Sequence, residues 1–166
     1  MAFKVPKIPV CVAIACCGVA LIFQLVAVVG TGWQVGEIQY PNGIVHEEDG
    51  LFRGCINDVC MEVQSTWLPN WWKACQAFSI LGLLTIAGGL LAGIQHAVSE
   101  NTAKASLAGI ATCLSSTVFL TIEVAVFGAK SSESSAYQFD YGFYLSIAAC
   151  VLSFISAVLF AVGLRL

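Results

Sequence analysis

Charge is scarce in this chain: of 166 residues only 10% are Asp, Glu, Lys or Arg, and histidine occurs twice. Soluble domains are about a quarter charged, so a water-facing globule is excluded. The seven basic residues are scattered and form no stripe that would track a nucleic-acid backbone. Catalytic motifs are missing too: there is no Gly-x-Ser-x-Gly elbow, no His-Glu-x-x-His pair and no glycine loop for phosphate. The two histidines, His46 and His96, fall in segments expected on opposite sides of a membrane. Neither an enzyme nor a cofactor is expected, and without a spaced set of ligands around His46 a metal site is not expected either. Internal repeats are absent and polar groups at midplane depth too few for a transporter, and there is no Asn-x-Ser/Thr acceptor for glycosylation.

Apolar residues take the place of charge. They make up 58% of the chain, with a mean hydropathy of +0.86. Four runs, over 8–30, 74–97, 105–128 and 141–164, reach the roughly 20 apolar residues needed to cross a bilayer. The first follows Lys4 and Lys7 as a secretory signal would, but it exceeds the usual h-region and is read as a retained helix. The expected organisation is one four-span membrane domain over 1–166, with the lipid bilayer as its solvent. Its polar connections are a long loop over 31–73, a tight one over 98–104 and a medium one over 129–140. Only Arg165 and Leu166 follow the last run.

Basic residues orient the chain weakly, four (Lys4, Lys7, Lys104, Arg165) falling on one side and three (Arg53, Lys73, Lys130) on the other. Cysteine is more informative. Of eight cysteines only Cys55 and Cys60 lie in a polar loop; Cys11, Cys16, Cys17, Cys75, Cys113 and Cys150 sit in or beside the apolar runs, where the thiol serves as a small apolar filler. Asn57-Asp58 suits a two-residue hairpin turn, because both residues tolerate positive φ. Ile56 and Val59 then close the turn, and Cys55 and Cys60 occupy the next, non-hydrogen-bonded pair, where Cα atoms approach closely enough for a cross-strand disulfide. Disulfides belong to oxidising compartments. The pairing therefore places the long loop outside and both termini in the cytoplasm. Segments 33–40 and 59–63, rich in β-branched and aromatic residues, add strands, and a small antiparallel sheet on the outer membrane surface follows.

Trp33 after the first helix, then Gly50-Leu51-Phe52-Arg53, Cys55 and Cys60, resembles the Trp, Gly-Leu-Trp, Cys, Cys pattern of the claudin and peripheral myelin protein superfamily. The short spacing between the cysteines is similar to that of epithelial membrane proteins and the lens fibre intrinsic membrane protein. Gln76-Ala77-Phe78-Ser79-Ile80-Leu81 and Tyr141-Gly142-Phe143, which open the second and fourth helices, also resemble the peripheral myelin and epithelial members. The resemblance spans nearly the whole chain and implies a claudin-like fold: an all-α four-helix membrane bundle carrying a small extracellular antiparallel β-sheet. Phe52 departs from the pattern, keeping an aromatic ring but losing the indole N–H. A cytoplasmic tail with a scaffold-binding motif, common in claudins, is not seen.

Several residues invite a functional reading. His46-Glu47-Glu48-Asp49 is an acidic run that either forms a solvated turn, the commoner case, or, through Glu47, Glu48 and Asp49, attracts cations as loop carboxylates do in claudin pores. Glu123 is the one acidic residue within a predicted span. Ionisable groups there are costly, and Gln24, in the same half of the first helix, is its expected partner in a structural role. Small residues at Gly89 and Gly93, at Ala105 and Gly109, and at Ser153, Ala157 and Ala161 allow close helix packing, within the bundle before any homodimer. Trp67, Trp71, Trp72 and Lys73 suit a membrane interface. Cys11, beside the headgroups, is a candidate for palmitoylation.

These features and the resemblance imply a plasma-membrane protein of cell–cell contacts. It would act in junction or adhesion through extracellular-loop and lateral self-association, in cis and in trans, and would shape a paracellular barrier or pore. Phe52, Trp67, Tyr137 and Phe139 are the expected adhesion contacts. The alternative is an auxiliary subunit of an ion channel or receptor.

Overall fold

The computed structural model describes residues 8–41, 43–57, 59–64, 66, 68–98, 102–133 and 137–165. Four helices are long and apolar enough to cross a membrane: α1 (Ile8–Val29), α2 (Asn70–Val98), α3 (Thr102–Ser131) and α4 (Tyr141–Arg165). In hydrocarbon no water satisfies an open N–H or C=O, so an apolar run of this length settles as a helix. Packing is chiefly α2 along α3 and α1 along α4. The approach depends on missing side chains. A Cβ on Gly82 would strike Leu120, one on Gly89 the Cys113 thiol and one on Gly93 the Ile14 side chain, and one on Gly109 would crowd the Phe160 ring. The small-residue positions thus serve packing inside the bundle.

The buried side chains form three tiers. Farthest from the sheet lie Val10, Ala13, Cys17, Cys113, Ala157 and Phe160, and in the middle Ala20, Ile86, Leu120 and Ala149. The third tier is aromatic: Ala27, Trp33, Leu51, Trp72, Cys75, Phe127 and Phe143. At the opposite end His96 ties α2 to α3, its Nδ1 lying 3.1 Å from the Thr102 carbonyl and 3.0 Å from the Ser106 hydroxyl.

Among the described residues five strands form one antiparallel sheet: β1 (Gln34–Tyr40), β2 (Gly43–Asp49), β3 (Arg53–Ile56), β4 (Val59–Glu62) and β5 (Tyr137–Phe139), in the order β4-β3-β2-β1-β5. The expected strands over 33–40 and 59–63 correspond to β1 and β4. Two further strands carry no signal of their own. The acidic run is no turn but the second half of β2, opposite β1 from Gln34↔Asp49 to Tyr40↔Gly43; Glu and Asp disfavour strands, and pairing on both sides overrides that preference. In β5 the segment is too short to announce itself, and it forms because Gln34 and Gly36 of β1 offer it a partner edge.

Helix ends also differ from the apolar runs. α2 starts at Asn70 rather than 74, because the Pro69 carbonyl accepts the N–H groups of Trp72 at 3.0 Å and Lys73 at 3.3 Å. α3 runs past 128 to Ser131. Hydropathy marks the lipid crossing, whereas the hydrogen-bond ladder continues into the polar turns at each end.

Candidate functional site

The sheet is seated on the bundle by the motif residues. Trp33 is wholly buried, its indole N–H donating to the Ala27 carbonyl at 2.6 Å. Its ring meets Phe127 edge-on at 4.8 Å and Phe143 at 6.2 Å, the offset geometry that aromatic quadrupoles favour. Leu51 is equally buried, and its carbonyl accepts two donors from α2, Trp72 Nε1 at 3.0 Å and Gln76 Nε2 at 2.6 Å. Gly50 stands where a Cβ would run into the Gly30 carbonyl and Thr31 Cα, so the return of the loop over the end of α1 requires glycine. Phe52 packs half-buried against this tier, while Arg53 is exposed. The indole lost at Phe52 has a counterpart in Trp72, which donates to the carbonyl of the neighbouring Leu51.

Cys55 and Cys60 are disulfide-bonded, with Cα atoms 4.0 Å apart, in the register Ile56↔Val59 and Cys55↔Cys60. Asn57 takes the positive φ of the turn, at 46°; Asp58 lies outside the described residues. The Asn57 side chain accepts the His46 N–H at 3.1 Å and the Asn57 N–H reaches the His46 carbonyl at 3.0 Å, so the hairpin is pinned to β2 as well as to itself. Replacing both cysteines by serine is expected to cost on the order of 2 kcal/mol from chain entropy for so short a loop. Native-state hydrogen exchange on the purified protein checks this, with the loss confined to the amide protection of β3 and β4.

Strand alternation divides the acidic run. Glu48 shares one face with His46, Glu37, Cys55 and Arg53, and on that face His46 Nδ1 lies 3.5 Å from Glu37. Glu47 and Asp49 occupy the other face, toward the bundle. Tyr137 donates its hydroxyl to Glu47 at 2.9 Å, and Gln34 Nε2 donates to Asp49 at 3.1 Å. The side-chain carbonyl oxygen of Gln34 in turn accepts the Ser131 hydroxyl, which joins sheet to α3. Burial pushes the Asp49 carboxyl above its ordinary pKa, Glu47 adds to the rise and the Gln34 hydrogen bond opposes it. A carboxyl raised in the folded state favours folding when protonated, so this contribution is full below the unfolded pKa and is lost as pH rises through the folded one. Asp49→Asn should therefore flatten the pH dependence of the melting temperature from the ordinary carboxylate range upward, with the variant gaining on the parent toward neutrality.

The remaining polar group lies between the helices. Glu123 and Gln24 are both fully buried. Gln24 Nε2 donates to Ser79 Oγ at 3.0 Å and to Glu123 Oε2 at 3.4 Å, and Ser146 Oγ donates to the same carboxylate oxygen at 3.1 Å. All four helices contribute one side chain to this node. Gln24 Oε1 and Glu123 Oε1 have no hydrogen-bond partner among the described residues.

The residues that the sequence singles out thus separate in space. Trp33, Gly50, Leu51 and Phe52 come together at the seat, Cys55 and Cys60 join β3 to β4 beyond it, and Gln24 and Glu123 meet deeper in the bundle. Tyr137 and Phe139 lie in β5, the latter stacked on Phe143 at 4.3 Å. Trp67 lies outside the described residues, and Cys11 is exposed near the start of α1. Among the described residues no three His, Cys, Asp or Glu side chains gather as metal ligands. Sequence reasoning misses Gln34, Ser131 and Phe127, and meets Gln76 only as part of the stretch that opens the second helix. Trp72, expected as an interfacial anchor, is buried instead, and its burial is legible only through the one-sided spacing of Trp72, Cys75 and Ser79 along α2. No curated protein matches the chain; a family model described as PMP-22/EMP/MP20/Claudin family matches residues 8–160.

Proposed function

Because the chain belongs to the PMP-22/EMP/MP20/Claudin family, we propose that it acts at cell–cell contacts of the plasma membrane as a junction or adhesion protein that associates with its own copies in cis and in trans. The observation that carries this reading is the open edge at β4. Every residue of that strand is exposed, Val59 by 62% and Met61 by 60%, and among the described residues β4 pairs on one side only. Unpaired edge N–H and C=O groups are a template for another chain. The opposite edge, β5, carries Tyr137 and Phe139, and Phe52 flanks the sheet, so candidate contacts lie at both ends. Two unlike edges favour head-to-tail rows over closed pairs.

Orientation follows from chemistry. A disulfide in the sheet belongs to an oxidising compartment, which supports a sheet outside the cell with both termini in the cytoplasm. The acidic strand supports a barrier better than a pore lined by one row of charge, since Glu48 and the pair Glu47 and Asp49 face opposite ways. Cys11, at the cytoplasmic end of α1, would take a palmitoyl group; acyl exchange on the parent and on Cys11→Ser reads this out.

Expression in non-adherent cells tests adhesion. The parent should gather at cell contacts, and Val59→Lys with Met61→Lys, which charges the open edge, should abolish gathering while the disulfide and surface delivery persist. If contacts never form and the protein instead purifies in fixed stoichiometry with a channel or receptor, it is an auxiliary subunit.

A further inference from the structure

Phe52 and Arg53 roof an apolar groove of about 380 Å³ whose walls are Val28 and Val29, at the end of α1, and Ile80 of α2. Val29 is 58% exposed and Ile80 43%. Both stand on membrane-spanning helices, so the groove opens onto lipid. Its upper end is different. Arg53 is exposed, and it makes no ion pair with another described residue.

The depth is fixed by the neighbouring Leu51, whose carbonyl hangs from Trp72 and Gln76 in the opening turns of α2. Ile80 lies one turn deeper than Gln76. Arg53, two residues beyond Leu51, therefore lies at the level of the opening turns of α2, where half-buried Trp71 and exposed Lys73 stand and where a cationic head reaches the aqueous boundary above an apolar stem. A guanidinium at that boundary over an apolar slot complements an amphiphile with one anionic group above a hydrocarbon chain. Guanidinium matches phosphate in a two-pronged geometry that few other groups offer.

We propose that this groove holds one phospholipid of the leaflet on the sheet's side, its acyl chain along Val28, Val29 and Ile80 and its phosphate on Arg53. Such a lipid tethers the start of β3, two residues before Cys55, to the membrane plane and sets how the hairpin is presented.

Native mass spectrometry of the full chain tests this after delipidation in detergent, with either palmitoyl-oleoyl phosphatidylcholine or the diacylglycerol of the same chains added back. One phosphatidylcholine per chain should survive activation that strips the diacylglycerol. Arg53→Gln should weaken retention about tenfold, as expected for loss of one charge-assisted contact, and Arg53→Lys should restore part of it. Ile80→Trp, which fills the slot and keeps the charge, should also lower retention; an unchanged melting temperature certifies each variant as folded. Equal retention of the two lipids, or full retention by Arg53→Gln, overturns the proposal. So does a dimer lost on Ile80→Trp with no lipid bound, which would make a second copy the occupant.

Discussion

Trp33→Ala should lower the stability of the purified protein by about 3–5 kcal/mol, the range for deleting a large aromatic from a packed interior. It should also release the sheet from the bundle. The ring sits among Phe127 and Phe143 with no exposed surface, so its removal leaves a cavity whose walls are held by two helices and cannot collapse. Trp33→Phe separates the contributions. It keeps the edge-on contact and loses the hydrogen bond to the Ala27 carbonyl, at a cost of about 1–3 kcal/mol because that carbonyl is then buried without a donor. Melting in detergent, with limited proteolysis of the 31–69 segment, distinguishes these outcomes. If Trp33→Ala melts with the parent and the segment stays protected, the aromatic tier is not what seats the sheet.

Much of that seat is legible in the sequence. Trp33, Gly50-Leu51 and the cysteine pair sit at spacings that follow from a hairpin and a returning loop, and the helices announce themselves by length and hydropathy. What is not legible depends on contacts between distant parts of the chain. Gln34 is an ordinary strand residue until Ser131 and Asp49 are brought to either side of it. The acidic half of β2 is poor strand sequence until β1 and β3 flank it. The polar node is half-readable: one acid in a span demands a partner, and Gln24 is in reach, but the hydroxyls of Ser79 and Ser146 look like any small residues in a membrane helix.

Gln24→Leu should destabilise the bundle by about 1–3 kcal/mol, because it leaves Ser79 and Glu123 without their shared donor in a dry interior. Mutational averages for hydrogen bonds in membrane bundles, near 0.6 kcal/mol, set a lower bound that the carboxylate should exceed. The discriminating variant is the double, Gln24→Leu with Glu123→Leu. Removing both partners spares the cost of a stranded polar group, so the double should be more stable than Gln24→Leu alone and close to the parent. A double variant worse than the sum of its singles would mean that the node adds stability beyond satisfying itself. Denaturation of the four proteins in one detergent closes the cycle.

The Leu51 carbonyl and the β1–β5 pairing also impose an order on assembly during synthesis. The β3–β4 hairpin is local and, with its disulfide, needs only residues 53–62 to be complete. It has nowhere to dock until Trp72 and Gln76 follow it with α2. The sheet itself waits longer, since Gln34 finds Phe139 only after α2 and α3 have both been made. A nascent chain halted before β5 would therefore present a formed hairpin with the β1 edge still uncovered, a state structurally distinct from the finished molecule.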